Sequence, residues 1–172
     1  MVTFAELETS APAIHAFAAA RIAAAGLCLI ATTRSDGWPR VSPMELSIHD
    51  GRLYVGSMPN AVKARDLQRD PRCCAITPLA DKDDLAGEVK LFCRAREIDE
   101  HDEWQSLRAR IEELNGFDIG EPGGAHLFEL GIEAAAWQRV EGDDWRTTSW
   151  SARDARVRER VRTGPVGESR DL

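Results

Sequence analysis

The residues able to do chemistry concentrate between positions 37 and 71, GWPRVSPMELSIHDGRLYVGSMPNAVKARDLQRDP. Lys63 falls near the third position of a short helix expected over residues 60–68. That helix is opened by Met58-Pro59-Asn60 and closed at Asp70-Pro71, where proline cannot continue it. A cation in the first turn opposes the positive end of the helix dipole, at a cost of ~0.3–1 kcal/mol for an exposed group. An anion bound there reverses the sign. The free amides of the helix start, the Ser57 hydroxyl at the end of the preceding strand and the Arg40 guanidinium on a neighbouring strand are what a phosphate requires. The same residues admit a plainer reading, in which Lys63 is a solvated lysine paired with Asp66 and Arg40 an exposed residue of an edge strand.

These groups need a scaffold, and the flanking sequence supplies hairpins. Three short apolar runs, LCLIATTR, PRVSPMELSIH and RLYVGSM, are separated by Asp36-Gly37 and Asp50-Gly51, dipeptides that provide the positive φ values of tight turns. They read as an antiparallel meander. Residues 73–79 and 88–98 are further strands, the second alternating Val89, Leu91, Cys93 and Ala95 against Lys90, Arg94 and Arg96. Residues 126–140 and 145–150 form a last hairpin. Helical spacing appears over residues 11–25, with Ser10 as N-cap and Gly26 just past the end, and again where Trp104, Leu107, Ile111 and Leu114 share a face after a cap at Asp99. The sum is about seven strands and three helices, an all-β centre that must close or split into a barrel to manage its edges. Proline at 43 is expected to mark an edge or bulge where the facing of its strand changes. Residues 151–172 carry six arginines, four acids and few large apolar residues, and read as a solvated or partner-dependent tail following a domain of residues 1–150.

The ordered set Pro39-Arg40-Val41-Ser42-Pro43, an Asp-Gly turn, Tyr54-Val55-Gly56-Ser57 and Lys63-x-x-x-Leu67-x-x-Asp70-Pro71 resembles the flavin-binding split-barrel family typified by pyridoxamine 5′-phosphate oxidase. The resemblance spans roughly residues 10–150. It implies a mainly β, antiparallel split barrel with flanking helices, working as a homodimer. It further implies an oxidoreductase that binds FMN, or in some members the deazaflavin coenzyme F420, and acts on a small molecule. The alternative of a different class is a non-catalytic barrel that binds flavin, haem or another small ligand as a carrier or sensor. The residues equivalent to Arg40, Val41 and Ser42 line the flavin ring in the family, Pro43 closes that motif, Ser57 and Lys63 hold the phosphate, and Glu88 and Lys90 lie on the strand that reaches the cofactor from the second subunit. Two departures stand out: the oxidase has Ser-Arg-Lys where this chain has Ala61-Val62-Lys63, and a lysine where this chain has Glu45. Both remove a cation from the flavin site and argue against oxidation of pyridoxamine phosphate itself.

Composition sets the outer limits. The 172 residues carry a net charge of −7, with 43% hydrophobic and 30% charged residues, a globular composition whose acidic sign disfavours nucleic acid as a partner. The four cysteines, at positions 28, 73, 74 and 93, form no CxxC pair and no zinc spacing, so no metal site is expected. Glu6 and Glu8 occupy the place of a basic leader region, and the longest uncharged run there, residues 22–33, is too short to span a bilayer. The expectation is a cytoplasmic protein, with no membrane partner and reduced thiols. Trp38, Trp137, Trp145 and Trp150 are read as core or dimer-interface residues, and none of the four histidines is given a catalytic role.

Overall fold

A computed structural model describes residues 1–116, 118–164 and 167–172, with every side chain among them except those of Leu114 and Asn115. The elements run α1 (Phe4–Ser10), α2 (Pro12–Ala25), β1 (Leu27–Thr33), β2 (Pro39–His49), β3 (Arg52–Ser57), α3 (Val62–Arg69), β4 (Arg72–Ile76) and β5 (Glu88–Glu97). They continue as α4 (His101–Asn115), β6 (His126–Glu141), β7 (Asp144–Ser151), β8 (Arg156–Thr163) and β9 (Ser169–Asp171). All pairings are antiparallel, in the order β3-β2-β1-β4-β5-β6-β7-β8-β9, and β3 also pairs with β6, so six strands close into a barrel.

The hairpin signals work as physics requires. Asp50 and Gly51 both take positive φ, 48° and 72°, which is the geometry of a two-residue turn matched to strand twist. Alternation then buries Cys28 and Ile30 of β1, Met44 and Leu46 of β2, and Val89, Leu91 and Cys93 of β5 in one core, with Phe4, Leu7, Ile14, Ala18 and Ile22 of the first two helices sealing it. Burial pushes the thiols up, Cys28 to about 11 and Cys73 to about 12, so they remain protonated apolar fillers. A smaller cluster of Tyr54, Ile98, Trp104, Leu107, Ile111 and Leu127 fixes α4 over β3 and β6, and the Trp104 indole N–H donates to Gly120 O at 3.0 Å. Leu114, expected on that face, lies outside the described side chains.

Several local expectations are corrected. Ser10 ends α1, its hydroxyl donating to Glu6 O at 2.8 Å, and α2 begins at Pro12, whose missing N–H costs nothing at a first position. Glu100 rather than Asp99 caps α4, accepting from the Glu103 amide. Among the described residues there are nine strands and four helices rather than seven and three. Pro43 causes no change of facing, because β2 pairs with β1 without a register break from Pro39↔Thr33 to Glu45↔Leu27. Residues 151–172, read as a solvated tail, supply β8 and β9.

The reason lies in β6, which is 16 residues long and serves two partners on one edge. Residues 126–130 pair with β3 and complete the barrel, whereas residues 134–141 outrun β3 and pair with β7. Strand β8 adds to β7 over eight rungs and buries Val161, so β7–β9 leave the barrel as a three-stranded flap.

Candidate functional site: a groove beside the β3–α3 corner

An open groove of about 1300 Å³ runs along the second half of β2. One wall is the α2–β1 corner, another is the β3–α3 connection with Ser57, Met58, Pro59 and Ala61, and the third is Ile111 with the segment from Asp118 to Leu127.

Lys63 lines the groove, half-buried, at the second position of α3. It makes no ion pair among the described residues, and Asp66 is engaged elsewhere. Ala61, the N-cap, offers no side-chain acceptor, so the first amides of α3 are uncapped. Ser57 lines the same groove at 9% exposure, and its Oγ is buried without a hydrogen-bond partner among the described residues. An orphaned hydroxyl, an ammonium without an ion pair among the described residues and a helix start without a side-chain cap belong to residues of the same groove, and all three are groups that a phosphate can partner. The residues present therefore fit a phosphate-bearing cofactor.

The structure divides the sequence-derived residues into groups. Pro43, Ser57 and Lys63 line the groove together. Arg40 sits on the barrel-ward face of β2 beside Thr32, and its Nε donates to Asp66 Oδ2 at 2.6 Å. Asp66 is 2% exposed and accepts also from Thr32 Oγ1 at 3.1 Å and from Arg69. Burial pulls its pKa up, but the Arg40 and Thr32 hydrogen bonds and the Arg40 charge outweigh this and hold it below the ordinary carboxylate range. Val41 points outward, 57% exposed, and Ser42 lies opposite Ile30. Glu88 and Lys90 stand outside on β5, bonded to each other at 2.6 Å, with Lys90 also donating to Gln138.

Two groove residues were not found from sequence. His49, the last residue of β2, is 4% exposed and neither ring nitrogen has a partner. Burial, then the Arg110 charge, lowers its pKa, so the imidazole is neutral. Its position before an Asp-Gly turn carries no sign of this, because burial comes from the groove walls and from Tyr54, whose ring lies 5.8 Å away. Glu45, a departure from the oxidase pattern, is the second. It lines the groove exposed and without an ion pair among the described residues. No group of three metal-ligating side chains exists among the described residues, and no helix there is long and apolar enough to cross a membrane.

A closed six-stranded antiparallel barrel with helices packed around it defines the class of split barrels. The family model for pyridoxamine 5′-phosphate oxidase matches residues 14–163, and the chain belongs to that family. The match extends through β8 and so takes in most of the flap. Among solved structures, Campylobacter jejuni ChuZ is similar with a TM-score of 0.68 at 11% identity, over 91% of this chain and 65% of that one. A Clostridium acetobutylicum protein of the pyridoxinephosphate oxidase family, related to general stress protein 26, gives 0.61 at 11% identity over 82% and 96%. The haem storage protein HutZ of Vibrio cholerae gives 0.56 at 20% identity over 72% and 89%. At these identities the likeness is one of fold. No curated protein matches the chain.

Proposed function

We propose that this protein is a homodimeric oxidoreductase that holds FMN in the β2 groove, with the cofactor phosphate at Ser57, Lys63 and the start of α3. The observation that carries this reading is the buried, unpartnered Ser57 Oγ on a groove also lined by Lys63, which has no ion pair among the described residues. A bound flavin supplies hydride transfer; the chain supplies binding, orientation and exclusion of water. Lys63 and the α3 amides neutralise the phosphate, while Ile22, Leu46 and Leu127 give the groove an apolar floor. Glu45 places a lone carboxylate in the same groove, able to accept a hydrogen bond from a ring N–H or from an amine substrate. The deazaflavin coenzyme F420 carries a phosphate and suits the same corner.

Dimerisation is part of the proposal. Leu27, Val41 and Phe92 are 36%, 57% and 43% exposed on the outer face of the barrel, an apolar surface that a second copy would cover.

A second reading, a haem carrier without turnover, is favoured by the unpartnered His49 imidazole in a groove of this size and by relatives described as haem proteins. The test is titration of the purified protein and Lys63→Ala with FMN, F420 and haemin, followed by fluorescence and absorbance. FMN or F420 should bind the parent, and Lys63→Ala should lose ~10- to 150-fold in affinity, the scale of ~1.5–3 kcal/mol for a charged hydrogen bond, with little change in apo stability. Haem binding that ignores Lys63 and perturbs the Soret band in His49→Ala would establish the carrier instead.

A further inference from the structure

The flap carries a charge pattern that the groove does not use. Arg156, Arg158, Arg160 and Arg162 alternate along β8, on the face opposite Glu159 and the buried Val161. They stand at intervals of ~6.6 Å. Their neighbours on β7 are Ser151, Ser149, Thr147 and Trp145, in that order. Arg158 and Arg160 meet Asp154 and Asp171, exposed pairs of small energetic weight, and Arg162 lies 5.4 Å over the Trp145 ring. Arg156 has no acidic partner among the described residues.

Register shows where this face leads. The rung Arg156↔Ser151 continues through Ala134, Phe92, Cys74 and Ala31 to Val41, one row across seven strands, apolar on the barrel and basic at the flap. The next row runs from Arg158 through Ser149, Ala136 and Lys90 to Ile76, Leu29 and Pro43. The flap face is thus the edge of the barrel's apolar exterior, and whatever covers one borders the other.

We infer that the arginine row is a strap that grips the acidic body of a second copy of this chain. Area is the first argument. At ~32 Å² of sheet per outward residue, the barrel exterior offers on the order of 500 Å² and the flap face about 250 Å² more, and together they approach the ~800 Å² per partner of a stable pair. Charge is the second. Residues 151–172 hold six arginines and four acids, so the rest of the chain carries two more negative charges than the net −7 of the whole. A basic strap at the rim of an apolar patch is drawn toward a copy of itself whose body is net acidic.

This rests on the dimeric reading above, and the test separates the two. Sedimentation equilibrium of the full chain and of R156Q/R158Q/R160Q/R162Q is measured at 50 and 500 mM NaCl, with thermal unfolding as a check on folding. The charge-preserving variant with lysine at all four positions is run beside them. The parent should dimerise at micromolar concentration and weaken about tenfold in high salt, since screening contracts from ~14 Å to ~4 Å. The glutamine variant should start about tenfold weaker and lose its salt dependence, and the lysine variant should keep most of the affinity. A monomeric parent overturns the dimeric reading and the strap with it. A parent dimer matched by the glutamine variant in affinity and salt slope overturns the strap alone. So does an unchanged dimer accompanied by arginine-dependent binding of a labelled oligodeoxythymidine, which would make the row a polyanion surface.

Discussion

Arg40→Ala should lower stability, although Arg40 belongs by sequence to the flavin-lining stretch. The guanidinium Nε is 2.6 Å from the Asp66 carboxylate, whose side chain is 3% exposed, whereas that of Arg40 is 29% exposed. Breaking a fully buried pair costs ~3–5 kcal/mol because one charge is stranded. Here Thr32 and Arg69 remain on the carboxylate and Arg40 is partly solvated, which reduces the expected loss to about 2–3 kcal/mol. For a chain of this length that is a fall in Tm of roughly 4–12 °C. The assay is thermal and urea unfolding of the apoprotein across pH. Asp66 has its pKa depressed in the fold, so its contribution is full above the unfolded value of ~3.9 and fades as pH falls through the folded one. The gap between parent and variant should therefore close on acidification below about pH 4. Arg40→Ala in an Asp66→Asn background should cost much less than in the parent. An Arg40→Ala protein that melts with the parent at pH 7, or a gap that persists at pH 2, would show that Arg40 is not committed to Asp66 and would return it to the cofactor.

His49 is held neutral by burial, so the unfolded chain binds more protons near its ordinary pKa. Stability should be full above about pH 6.5 and decline below it, and the decline should flatten in His49→Phe by urea titration. Ending the chain after Ala152 removes β8 and β9 and uncovers the flap's apolar side. The loss of buried Val161, worth ~1.5–3 kcal/mol, should lower Tm by roughly 3–12 °C, and an unchanged transition would show the flap to be dispensable. Gly87→Ala should destabilise severely: its φ is +81° and an added Cβ would lie 1.7 Å from the Gln138 carbonyl oxygen, so poor recovery of folded protein is expected, whereas Gly142→Ala, with φ +60° but open space around it, should cost only the ~1–2 kcal/mol strain of the left-handed backbone.

Local chemistry makes the barrel legible in the sequence. The Asp50-Gly51 turn, the alternation of β5 and the proline stop after α3 are decided by neighbours within a few residues, and the family pattern from Pro39 to Pro71 is contiguous enough to read directly. That Ser57 and Lys63 line one groove is legible for the same reason, since the two lie only six residues apart. Arg40 was different. Its type suits a phosphate, but its pairing depends on Asp66, 26 residues away on α3, and only closure of the barrel brings the two within 2.6 Å. The environment of His49 depends in the same way on chain remote from it, since the Arg110 charge that acts on it comes from α4. Residues 151–172 show the limit most plainly: a polar, arginine-rich composition reads as a tail, yet β7, carried past the barrel by β6, leaves backbone N–H and C=O groups along its other edge that β8 satisfies over eight rungs. That demand belongs to the assembled sheet, and tertiary structure alone turned the arginine-rich segment into strands with one basic face.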